Sequence, residues 1–334
     1  MGNTKKEAIL EVKDLNLYFP LREGLLNRVV GTKKVVNNVS FQIGKGETLA
    51  LVGESGCGKT ELIRAILDID PKTSGQILYN GKNTDEMTKE EKRSMLYHAP
   101  IIFQDTGAAL HPRMTIEETL EEPLILSGWK NAEKRKAEVK RIMDQVGLDE
   151  SFLKRYPHQI SGGQRQRVVI ARALIVQPEI ILADEPISAL DVSLQAQIIN
   201  LLIDLQEEYN MGILLIAHDL AIVRQIANNI MIMYLGKIME SAPAQEIYKN
   251  AKHPYTKVLL TAAPSITRGI RDMGFQLDLK VGDTPDMAHP PKGCPFCTRC
   301  IFAEGRCLVE DPKEEWITEE HMVRCHRWKE LEGK

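Results

Sequence analysis

A mostly parallel α/β fold is predicted by three stretches of the sequence, each an apolar run that stops at a chemically loaded turn. TLALVG (48–53) runs into the loop ESGCGKT and the helix-like TELIRAILDI, EIILADEP (179–186) ends on two carboxylates, and GILLIAHDL (212–220) ends on a histidine. Between the second and third lies the helical LQAQIINLLIDLQEEY, which supplies the strand, helix, strand alternation of a parallel sheet.

The remaining elements are placed around this core. AILEVKDLNLYF (8–19) and VVNNVSFQI (35–43) alternate apolar and polar residues in part and read as strands of an N-terminal antiparallel β subdomain, closed by the turn GKGE. From Glu117 to Leu153 the pattern becomes charged amphipathic helix, with Val139, Ile142, Met143 and Val146 of AEKRKAEVKRIMDQVGL on one face. A helical subdomain, about residues 105–165, is therefore expected as an insertion that splits the core. After about residue 250 the chain turns rich in Pro, Gly and Cys, so residues 1–250 are read as the main domain and 251–334 as a small Cys-rich C-terminal extension.

Composition limits the function. The 334 residues can bury a substantial core, and 43 Lys plus Arg against 46 Asp plus Glu give no electrostatic footprint for nucleic acid. No apolar run approaches the roughly 20 residues a membrane helix needs, and no leader is apparent, so a soluble, unexported chain is expected. Of six cysteines, five fall between Cys294 and Cys325, a clustering that suits metal ligation in a reducing compartment better than a disulfide framework.

GESGCGKT (53–60) fits GxxxxGK followed by Ser or Thr, after a buried strand and before a helix, the context of a phosphate loop and of a P-loop NTPase. Gly53, Gly56 and Gly58 permit a backbone that turns successive N–H groups inward, and the helix terminus adds partial positive charge. Glu54, Ser55 and Cys57 fill the loop; Lys59 would contact the β- and γ-phosphates, and the Thr60 hydroxyl would bind Mg²⁺. A Gly-rich capping turn would need no Lys and hydroxyl pair at this spacing, and Cys57 reads as a small loop residue. In EIILADEP, Asp184 would hold Mg²⁺ through its water shell, and Glu185 would act as general base on the water attacking the γ-phosphate. Helix capping is the bland reading of such a pair, and the phosphate loop upstream argues against it.

ISGGQRQRVVIARAL (160–174) resembles the signature of ATP-binding cassette (ABC) proteins, with Ile in the usual Leu position. The order of motifs is also similar: Gln104 in IIFQD stands where the family has its Q-loop, SALD (188–191) its D-loop, with Asp191, and His218 its switch histidine. Ser161, Gly162, Gly163 and Gln164 would form a second anion-binding helix N-terminus. The resemblance implies why one chain carries two: cassettes pair head to tail, and the signature of one closes on the γ-phosphate held by the other. It also implies that Gln104 senses Mg²⁺ and the attacking water, that His218 is catalytic rather than a buried cap, and that an aromatic, best aligned at Phe19 with Tyr18 adjacent, stacks on adenine.

Over nearly the whole chain the resemblance is closest to the ATPase subunits of bacterial oligopeptide, dipeptide and nickel importers, especially the F type. LYFPLREGLLNR, HPRMTIEETLEEPL, RYPHQISGGQRQR and HPYTKVLLTAAPS (253–265) carry it, while DTGAALHPR (105–113) departs from the family's Pro, Ser and Asn-containing segment. CPFCTRCIFAEGRC and Cys325 offer more thiolates than four tetrahedral positions need, and their spacing suits either Zn²⁺ or an iron-sulfur cluster. The resemblance favours a 4Fe-4S cluster on Cys294, Cys300, Cys307 and Cys325, leaving Cys297 aside. The family further implies an ATPase on the cytoplasmic face of the membrane, working with two transmembrane permease subunits, a second related ATPase or its own copy, and, indirectly, an extracytoplasmic peptide-binding protein. The rival reading is a soluble cassette ATPase acting on DNA or ribosomes, although such families usually add long coiled coils or a second cassette.

Overall fold

The computed structural model describes residues 7–24, 28–188, 190–262 and 286–332. Ala189 of the SALD stretch, residues 25–27 of LYFPLREGLLNR and residues 263–265 of HPYTKVLLTAAPS lie outside the described residues.

In chain order the strands are β1 (Ala8–Glu23), β2 (Arg28–Gly44), β3 (Thr48–Val52), β4 (Ser74–Tyr79), β5 (Lys82–Asn83), β6 (Ile101–Ile102), β7 (Ile180–Asp184), β8 (Gly212–Ala217), β9 (Asn229–Tyr234), β10 (Lys237–Pro243), β11 (Glu315–Trp316) and β12 (Met322–Val323). The helices are α1 (Lys59–Ile66), α2 (Lys89–His98), α3 (Thr106–Ala109), α4 (Ile116–Leu126), α5 (Ala132–Gln145), α6 (Gly162–Leu174), α7 (Val192–Tyr209), α8 (Leu220–Ile226), α9 (Ala244–Asn250), α10 (Pro254–Ala262) and α11 (Gly305–Val309). Among the described residues no helix is long and apolar enough to cross a membrane.

The chain divides into two compact units, one of Met1–Leu10, Ile43–Glu47 and Leu78–Leu215, the other of Glu11–Gln42, Thr48–Ile77 and Ile216–Lys334. In the first unit β6, β7 and β8 lie side by side, with β6 and β7 parallel in the register Ile101↔Leu182 and Ile102↔Ala183. Every residue of β7 is buried, which is why EIILAD reads as an unbroken apolar run rather than an alternating one. Helices α4, α5 and α6 pack on one another. The face expected from the 3.6-residue period is realised, since Val139, Ile142, Met143 and Val146 are all buried. Capping boxes start α2, α4 and α6, at Thr88 with Glu91, Thr115 with Glu118 and Ser161 with Gln164.

In the second unit β3 pairs in parallel with β9, β10 returns antiparallel to β9 with a register shift between Ile238 and Glu240, and β12 extends the sheet antiparallel to β10. The C-terminal segment thus covers what would otherwise be an open strand edge. It also shares the unit's core: Met287, Cys294, Phe296, Cys297 and Cys307 cluster with Val35, Val52, Tyr234 and Tyr255. One carboxylate ties the pieces together. Glu240 is wholly buried and accepts from the N–H groups of Lys252 (2.7 Å) and His253 (2.9 Å), and its Oε1 lies 2.9 Å from His321 Nε2. A buried carboxylate is tolerable only with such a full set of partners.

Candidate functional site

In the second unit β3 delivers the phosphate loop into α1. A Cβ at Gly53 would stand 2.2 Å from the Met233 carbonyl oxygen, and one at Gly58 (φ +108°) 2.2 Å from that of Val35, so both positions are closed to any side chain. Lys59 is buried and its ammonium donates to the carbonyls of Gly53 (2.8 Å) and Glu54 (2.9 Å), within the loop it is expected to serve. Thr60, in the first turn of α1, is exposed, as are Ser55 and Gly56. An exposed hydroxyl at that turn is an oxygen donor of the kind Mg²⁺ takes. Burial pushes the Cys57 thiol up, which agrees with a filler rather than a nucleophile.

Phe19 is half-buried against the unit's core cluster, and the Tyr18 hydroxyl donates to Asn16 Oδ1 at 2.8 Å. His218 is exposed directly after β8, at the approach to α8.

The first unit holds the acidic motif and the signature. Asp184, the last residue of β7, is buried, while Glu185 beside it has φ +46°, a left-handed conformation that a non-glycine residue adopts at a cost of about 1–3 kcal/mol. Gln104 Nε2 donates to Glu185 Oε2 at 2.9 Å, joining two motifs that are 81 positions apart in sequence. Ser161 caps α6 by accepting from the Gln164 N–H (3.3 Å), and Gln164 Oε1 accepts from the Ser161 N–H (2.9 Å). Ser161 and Gly162 are exposed at this helix end, and Gly163 is buried behind them. Asp191 caps α7 through the Leu194 N–H at 3.0 Å.

The cysteines converge as well. Cys294, Cys300, Cys307 and Cys325 line one pocket with His253, Phe296 and His326, and Cys297, which the family resemblance leaves aside, lines it too. Burial pushes the Cys294 thiol up and that of Cys325 up to about 12, so as free thiols both are neutral. Their sulfur chemistry suits a thiophilic metal. The 4Fe-4S expectation meets a geometric disagreement, however, because among the described residues no group of three or more His, Cys, Asp or Glu is placed to hold a metal ion.

Sequence reasoning missed the loop's outer partners. Glu54 receives Arg299 Nη1 on both carboxylate oxygens (2.9 and 2.7 Å), and its N–H donates to the Tyr255 hydroxyl (3.0 Å). The only available signal was the Arg inside CTRC, which spacing alone could not direct to a residue 245 positions earlier.

Comparison with known proteins agrees with these motifs. Residues 36–188 match the family described as ABC transporter, and residues 239–307 match the oligopeptide/dipeptide transporter C-terminal region. The chain is 44% identical to the oligopeptide transport ATP-binding protein AppF of Bacillus subtilis, covering 98% of this chain and 99% of the relative. It is 42% identical to the dipeptide transport ATP-binding protein DppF of Haemophilus influenzae, covering 97% and 99%. Among solved structures, a dimer of the cassette MJ0796 bound to ADP and Pi superposes with a TM-score of 0.61 at 29% identity, over 70% of this chain and 98% of that one. Fold and motifs together define an ABC-type ATPase with mixed α/β sheets. Within that class, the chain belongs to the family of ATP-binding subunits of oligopeptide and dipeptide transporters.

Proposed function

We propose that this chain binds Mg-ATP and hydrolyses it to energise uptake of di- or oligopeptides through a membrane transporter. The observation that carries the chemical reading is the 2.9 Å hydrogen bond from Gln104 to Glu185, which holds the expected base by a glutamine of the expected sensing loop. Lys59 and the loop N–H groups from Gly53 to Thr60 would bind the phosphates, and the Thr60 hydroxyl and Asp184 would serve the Mg²⁺ ion, with Gln104 near it. Glu185 would polarise the attacking water, and His218 would steady the γ-phosphate. Phe19 would stack on adenine. Ser161, Gly162, Gly163 and Gln164, with Asp191, would complete the site of a second cassette in a head-to-tail pair.

The organisation that goes with this reading is a cassette of residues 1–250 with a helical subdomain at about 105–165 and a peptide-transporter extension at 251–334. The chain would sit peripherally on the cytoplasmic face of the membrane against two permease subunits, beside its own copy or a related ATPase, and its peptide would be selected by an extracytoplasmic binding protein. The extension would hold a 4Fe-4S cluster on Cys294, Cys300, Cys307 and Cys325, or Zn²⁺, supported by five thiols around one pocket. Loading would require those thiols to shed protons and close up. Iron, acid-labile sulfide and zinc contents of anaerobically purified chain decide between the two metals, and absence of all three removes the metal reading.

Purification of the tagged chain from its native membranes in mild detergent, with identification of co-eluting proteins, tests the function. Two polytopic proteins and a second cassette ATPase are expected. Ribosomal or DNA-repair proteins without a membrane protein would overturn the assignment in favour of the soluble cassette class, which the peptide-transporter relatives do not favour.

A further inference from the structure

The phosphate loop carries a carboxylate of its own. Glu54 lies one residue into GESGCGKT, where a polyanion is expected, and an unpaired negative charge there would oppose binding. The structure gives it a dedicated counter-ion. Arg299 Nη1 contacts both oxygens of Glu54 at 2.9 and 2.7 Å, and the side chains are 10% and 28% exposed, so the pair is largely shielded from solvent. Hydrogen bonds to such partly desolvated ions are stronger than those at a surface.

Arg299 is itself held. Its Nη1 lies 3.4 Å from the Tyr234 hydroxyl, and its guanidinium lies 6.0 Å from the ring centroids of Tyr234 and Phe296. Tyr234, Tyr255 and Phe296 form a buried triangle of rings, with centroids 4.7, 5.4 and 5.2 Å apart. The same Tyr255 accepts the Glu54 N–H, so backbone and side chain of one loop residue are both fixed from the C-terminal segment. Arg299 stands between Cys297 and Cys300, two thiols that line the cysteine pocket. No part of the phosphate-loop chemistry described above requires any of these contacts.

We propose that Arg299 is a positioning residue for the phosphate loop, anchoring Glu54 and cancelling its charge so that the loop meets a nucleotide preformed and without an opposing carboxylate. The C-terminal segment thereby sets nucleotide affinity from outside the loop. The gain is one of preorganisation and charge balance, not of contact with ATP. This rests on the reading that the loop binds Mg-ATP.

The test is an equilibrium titration of the full chain with a fluorescent ATP analogue and Mg²⁺, in the wild type, Arg299→Met, Glu54→Gln and the double variant. Arg299→Met is expected to weaken binding about five- to tenfold when Glu54 is present, and by less than about twofold in the Glu54→Gln background, a coupling of the size found for contacting residues. A merely structural arginine would lower affinity equally in both backgrounds. Unchanged affinity in Arg299→Met, or equal loss in both backgrounds, overturns the proposal. Unfolding midpoints check that the variants fold. Should the methionine variant not fold, Arg299→Lys keeps the charge without the planar fork, and a smaller loss confined to the Glu54 background is expected, while no loss or an equal loss overturns it. Failure of the wild type to bind the analogue would instead sink the nucleotide reading, and this proposal with it.

Discussion

Glu185 holds its carboxylate on a left-handed backbone, where it accepts the hydrogen bond from Gln104 Nε2. Replacing Glu185 by Gln keeps the size and a hydrogen-bonding partner but removes the proposed base. ATP turnover of the assembled complex should fall by about 10²-fold or more while nucleotide still binds, leaving an ATP-bound dimer visible by size-exclusion chromatography. Normal hydrolysis by this variant would remove Glu185 from its assigned role. Lys59→Ala acts on the other step. With the buried ammonium gone, nucleotide affinity itself should fall, and a titration that matches wild type would refute the phosphate-loop assignment.

At the scale of single elements, α6 and α5 show two different sources of stability. The N-terminus of α6 depends on the reciprocal bonds of Ser161 and Gln164, so Ser161→Ala should cost about 1 kcal/mol in denaturant unfolding even before any effect on ATP. Helix α5 is charged on its outer face and is held by Val139, Ile142 and Met143, so Ile142→Ala should cost about 2–5 kcal/mol. The periodicity that placed these residues on one face was legible because helix geometry repeats every 3.6 residues regardless of what lies opposite. Strand β10 was not legible in the same way. KIMESAP carries a wholly buried Glu240, and no local pattern announces a carboxylate whose partners are backbone N–H groups at 252 and 253.

At the largest scale the C-terminal segment is a structural part of the second unit. Because β12 completes the sheet through β10 and tail residues lie in the core with Tyr234 and Tyr255, a chain ended after Asn250 would expose apolar surface and an open strand edge. Such a truncation is expected to unfold at lower temperature than the full chain, or to aggregate. An unchanged melting temperature would show the segment to be a separate appendage.

What the sequence determined by itself is whatever is written in contiguous residues: the phosphate loop, the carboxylate pair at the C-terminal end of β7, the capped signature helix and the cysteine-rich tail. Each is recognised through local backbone geometry, helix-end electrostatics or ligand chemistry, and so is visible without a fold. Only the tertiary structure decided that Gln104 meets Glu185, that five cysteines face one pocket, and that Arg299 reaches back 245 positions to Glu54. Those pairings depend on how strands and loops are brought together, and the same short stretches of sequence are compatible with many such arrangements until the core selects one.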